Sequence, residues 1–143
     1  MQVNDLMMLN DDDIDYSSLS EDTLRELALG EELFMANSAL VELAIRNCNL
    51  AAELAFKILE NSLGDSYLKA TALEIMVNNN REKALELIQS QIHTWDEYML
   101  NTVREIVAEN QNYFKSAVVL QVIERLKEFD ISANFPEAVV LDK

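Results

Sequence analysis

Cysteine, histidine and proline occur once each, at Cys48, His93 and Pro136, and glycine only at Gly30 and Gly64. A single cysteine excludes an intramolecular disulfide and a cysteine-based zinc site, and it suits a reducing compartment. Two isolated glycines exclude a glycine-rich phosphate loop and leave too few special turns for a β protein. One histidine, in the turn Gln91-Ile92-His93-Thr94, lacks the partners that a nucleophile–base–orienter arrangement requires. His93 therefore reads as a polar turn residue, and Cys48 as a small buried apolar one. No apolar run approaches the roughly 20 residues of a membrane-spanning helix. Met1 to Leu9 carries Asp5 and no base, unlike a signal or transit peptide. A soluble cytoplasmic protein is the expectation.

Positive charge is also scarce. Lys and Arg total 11 against 26 Asp and Glu, a formal charge of −15. The excess is uneven: residues 1–32 hold ten acids and one base, Arg25, for −9. Such a field repels nucleic acid and anionic membranes, attracts basic partners, and keeps the chain soluble. The bases are scattered without a stripe, which also argues against a nucleic-acid-binding surface.

What the chain does have is hydrophobicity and helix formers. Half of the 143 residues are hydrophobic, with Ala, Leu, Ile and Glu abundant. This length and composition give one domain able to bury a core, of all-α class. Residues 1–19 read as an acidic arm built around Asp11, Asp12, Asp13 and Asp15, and residues 20–143 as a single helical domain.

One stretch recurs. Val41-Glu42-Leu43-Ala44-Ile45-Arg46-Asn47 returns as Leu73-Glu74-Ile75-Met76-Val77-Asn78-Asn79, and more loosely as Arg104-Glu105-Ile106-Val107-Ala108-Glu109-Asn110. The spacings, 32 and 31 residues, are those of stacked helical hairpins. Helices are predicted over 21–29, from Ser38 to about Arg46, and from Leu50 to Glu60. Further ones follow from Ser66 to Val77, Arg81 to Ile92, Thr94 to about Ala108 and Tyr113 to Phe129. Val41 and Ile45 widen the apolar stripe of their helix to most of its circumference, which predicts burial between neighbours. Caps are expected at Ser18 or Ser20, Asn49, Asp65, Asn80 and Thr94, the last in the box Thr94-Trp95-Asp96-Glu97. Pro136 opens a short helical turn, or Ala138 to Leu141 forms an extended tail.

Over residues 36–129 the chain resembles the HEAT-like α-solenoids, through the three Glu-Leu/Ile-x-x-x-Asn copies and the apolar helix after each. The early proline of that family is absent, and Asn47, Asn79 and Asn110 stand where its turn often has Asp. The resemblance implies a short right-handed α-solenoid of about three hairpins and about seven helices, with a general role in protein binding and no catalytic residue. In size, charge and helical class the chain is also similar to bacterial toxin-immunity proteins.

Two sets of residues invite chemistry. Asp11-x-Asp13-x-Asp15, with Asp22 at the twelfth position, has the oxygen spacing of a calcium loop. Its sixth position is Tyr16, where the turn needs Gly, so no metal or other cofactor is expected. Trp95, Tyr98, Tyr67 and Tyr113 fall in first helical turns, either as contact anchors or as plugs between layers.

The favoured reading is a non-catalytic binding protein. Glu53, Glu60, Glu82 and Glu86 form an acidic face that docks a basic protein, Trp95 is an anchor, and Asp11, Asp12, Asp13 and Asp15 steer. Its sharpest form is an inhibitor or immunity protein that occludes a basic nuclease-type toxin. The alternatives are a scaffold or adaptor module in a larger assembly or a homo-oligomer, and a cation-binding regulator.

Overall fold

The computed structural model describes residues 13–110 and 116–131, together with Leu6 and Leu9. Asp11, Asp12, Tyr113, Phe114, Pro136 and Ala138 to Leu141 lie outside the described residues. Among the described residues there are seven α-helices and no strand: α1 Glu21–Ala28, α2 Leu33–Arg46, α3 Cys48–Glu60, α4 Ser66–Asn79, α5 Arg81–Gln91, α6 Glu97–Glu109 and α7 Ser116–Glu128. Short 3-10 turns occupy Tyr16–Ser18 and Ile92–Thr94. No described helix is long and apolar enough to cross a membrane.

The chain divides into two compact units, Met1–Asn80 and Arg81–Lys143. In the first, α2 packs against α1, α3 and α4, and α3 packs closely on α4. Its core holds Leu24, Leu27, Leu40, Leu43, Ile58, Leu59, Leu68, Leu73 and Met76, all essentially without solvent contact. In the second, α6 packs on α7, and Ile92–Thr94 touches both α5 and α7. Ile88, Ile92, Trp95, Val103, Val107, Val122 and Leu126 are buried there.

Side-chain chemistry fixes the helix starts. Ser20 Oγ accepts from Thr23 N at 3.2 Å, Asp65 Oδ1 from Leu68 N at 2.9 Å, and Asp96 Oδ1 from Met99 N at 3.0 Å. Asp96 thus replaces Thr94 as the cap of α6, because Thr94 ends a 3-10 turn and donates its hydroxyl to Gln91 O instead. Asn47 similarly replaces Asn49. It alone separates α2 from α3, its N–H closing α2 on Leu43 O at 2.7 Å while its Oδ1 caps Leu50 N at 3.2 Å. Asn80, the single residue between α4 and α5, has nearly the same backbone, φ −151° and ψ 80° against −149° and 81°.

That equivalence shifts the register by one residue. Asn47 corresponds to Asn80, and the start of α2 at Leu33 to that of α4 at Ser66, a spacing of 33. Buried Met35, Ala39, Leu40 and Leu43 then fall on buried Leu68, Ala72, Leu73 and Met76. Glu42 falls on Ile75 rather than on Glu74, so the Glu residues of the first two copies do not occupy equivalent positions. The reason is that the first copy closes its helix with Asn47, whereas the second absorbs Asn79 into the helix and turns at Asn80.

Tight turns close the other ends. Ser62, at φ 52°, and Asp130, at φ 56°, adopt the left-handed conformation after α3 and α7. Leu63 N then reaches Ile58 O at 2.8 Å and Ile131 N reaches Leu126 O at 3.1 Å, the six-to-one bond that satisfies a terminal carbonyl. Residues 13–19 are pinned as well. Leu6, Ile14 and Leu19 are buried, Asp15 Oδ1 accepts from Ser17 N at 3.2 Å, and Arg46 Nη2 donates to Leu19 O at 2.7 Å.

Candidate functional site

α2 is apolar nearly all round, yet its burial is one-sided. Met35, Ala36, Ala39, Leu40 and Leu43 face the core, while Phe34, Val41 and Ile45 are 70%, 42% and 76% exposed. At 100° per residue these three lie within about 40° of one another, so they form one stripe on the outer face. Burial of Val41 and Ile45 between neighbours is therefore corrected: α1, α3 and α4 cover the other sides of α2 and leave this one open.

α4 runs beside it. Thr71 Oγ1 donates to Asn37 Oδ1 at 2.6 Å, and Leu33 lies against Gly64 just before α4. Both meetings advance in the same direction along the chain, so α2 and α4 are parallel neighbours. Where they begin, Glu31, Glu32, Leu33, Phe34, Asp65 and Tyr67 line a groove of about 480 Å³. Its apolar lining comes from Leu33, Phe34 and half-exposed Tyr67, and among the described residues it carries three carboxylates and no base. Glu32 stands at the N-cap of α2 but makes no cap hydrogen bond through its side chain, whereas Asp65 spends one oxygen on Leu68 N.

The residues singled out in the sequence are placed differently. Glu53 and Glu60 are exposed on one face of α3, with Lys57 between them. Glu53 shares a small cleft with both Arg25 and Lys57, so its charge is offset locally. Glu82 and Glu86 are exposed on one face of α5, in the second unit and next to Arg81 and Lys83 in the chain. Asp13 is exposed, and Asp15 is occupied as the cap of the first 3-10 turn. Trp95 is 4% exposed, which matches the plug alternative and leaves almost none of its ring on the surface for a partner to contact. Cys48, conversely, is exposed rather than buried, because it opens α3 at the chain's bend.

Among the described residues, no group of three His, Cys, Asp or Glu side chains is arranged to hold a metal ion. What reading the sequence missed is the set Glu31, Glu32, Phe34 and Tyr67. The available signal was the surplus of apolar residues on α2, beyond what one buried face needs. No family model, curated protein or solved structure matches the chain.

Proposed function

We propose that this chain is a non-catalytic binding protein, a short helical-hairpin repeat of the HEAT-like kind, that docks a basic protein partner. The groove between α2 and α4 carries the reading: apolar Leu33, Phe34 and Tyr67 beside three acids, with no base among the described residues lining it. A site of that composition favours a Lys or Arg whose aliphatic stem lies on Phe34 and Tyr67 while its charge meets Glu31, Glu32 or Asp65. The formal charge of −15 adds long-range attraction to the same class of partner. The parallel pair α2 and α4, each joined to its successor through one Asn, supports the hairpin-repeat description.

In its most specific form the partner is a basic nuclease-type toxin, neutralised by occlusion of its phosphate-binding surface. The test is the association rate of a purified basic partner at about 50 and about 300 mM salt. The rate falls steeply if the acids steer it, since the screening length is only about 10 Å at 0.1 M. A salt-insensitive rate contradicts the mechanism. Glu31→Lys with Glu32→Lys should slow association further at low salt.

A further inference from the structure

The apolar stripe does not stop at the groove. From Phe34 through Val41 to Ile45 it continues over twelve residues of α2, about 16 Å along the helix axis. The negative charge does stop. Glu31, Glu32 and Asp65 cluster at the start of the stripe, whereas near its far end Glu42 pairs with Arg46 at 3.4 Å. The surface is thus acidic at one end and carries Phe34, Val41 and Ile45 along its length, with the part-exposed Ser38 among them, and an occupant that complements it is basic at one end and largely apolar along one side.

From this polarity we infer that the outer face of α2 docks an amphipathic basic α-helix of the partner. Its apolar side chains cover Phe34, Val41 and Ile45, and its Lys or Arg residues sit over Glu31, Glu32 and Asp65. A helix is the element that fits, because side chains at i, i+4, i+7 and i+11 share a face over that same length. An antiparallel approach places the C-terminus of the docked helix, where basic residues are favoured, over the acidic start of α2. A second copy of this chain is a poor occupant, because each copy brings a formal −15 to the acidic rim. The inference rests on the proposed basic-partner reading and adds the form and the pattern of the partner's docking element.

The test uses the full chain and a fluorescein-labelled peptide of about 15 residues, with Leu on one helical face and three Lys at its C-terminal end, followed by anisotropy. A scrambled peptide of the same composition is the control. The amphipathic peptide should bind about tenfold or more tightly than the scrambled one. Ile45→Asp should weaken it about tenfold, as should Glu31→Lys with Glu32→Lys, while Glu53→Lys with Glu60→Lys should change it less than about twofold. Ile45 is exposed, so its replacement leaves the core intact, and an unchanged helical circular dichroism signal verifies that.

Equal binding of both peptides overturns the docked helix and leaves the basic-partner reading standing. Loss of binding only in the Glu53→Lys, Glu60→Lys variant moves the site to α3 and also overturns it. Failure of both peptides to bind removes both readings together. A concentration-dependent dimer of the free chain that Ile45→Asp dissolves identifies a second copy as the occupant and overturns the inference.

Discussion

Thr71 and Asn37 are 34 residues apart in the chain and 2.6 Å apart across the α2–α4 seam, the hydroxyl donating to the amide oxygen. The pair is partly buried and sits one turn beyond the groove, so it sets the distance between the two walls.

Breaking that bond should loosen the first unit. Asn37→Ala and Thr71→Val should each cost about 0.5–1.5 kcal/mol in urea unfolding. The double variant should cost less than the sum of the two, as expected for residues that share one interaction. Full additivity would show that the bond contributes nothing between the helices.

Gly64 holds the turn into α4. Its φ is +74°, and a Cβ there would stand 2.6 Å from Leu68 Cδ2 and 3.4 Å from Leu33 Cδ2. Gly64→Ala should therefore destabilise by about 1–3 kcal/mol through backbone strain and the displaced leucine. An unchanged unfolding midpoint would refute this account of the turn.

The second unit depends on Arg125. Its Nε donates to Ile92 O at 3.2 Å, its Nη2 to Trp95 O at 2.9 Å, and its guanidinium lies 4.8 Å from the centre of the Phe129 ring. Its Nη1 also pairs with Glu128. Arg125→Met leaves the two carbonyls without these donors and should cost about 1.5–3 kcal/mol. Trp95 is the only tryptophan and is buried, so its emission should shift to the red in the same variant. Emission that stays blue would separate Arg125 from the packing of Trp95.

Arg46 ties the segment just before α1 to α2 through Leu19 O. Arg46→Met should speed amide hydrogen exchange at residues 14–19 while leaving the core of α4 protected. Equal exchange in both proteins would place the anchoring in Leu19 and Ile14 alone.

Much of the helical pattern was legible in the sequence, because periodicity and caps are local. Leu68, Ala72, Leu73, Ile75, Met76 and Val77 recur at helical spacing within the stretch read as a helix from Ser66 to Val77, and all are buried in α4. Ser20 and Asp65 cap as their side chains dictate. The site was less legible. An apolar residue signals burial without saying what covers it, so Val41 and Ile45 looked like core until α1, α3 and α4 were seen to pack on the other faces of α2. Glu53 looked like open acidic surface because Arg25, which lines the same cleft, is distant in the chain. Trp95 was ambiguous for the same reason. Its position in the sequence marks a helix start, and only packing decides which way the ring turns.

The most direct test of the account is to map, by amide chemical-shift changes in the labelled 143-residue chain, where a basic amphipathic peptide binds. The account predicts changes concentrated at residues 31–34, 65–67, 41 and 45, shrinking as salt rises. Changes concentrated on Glu53 and Glu60, or on Glu82 and Glu86, with the α2–α4 groove silent, would contradict it.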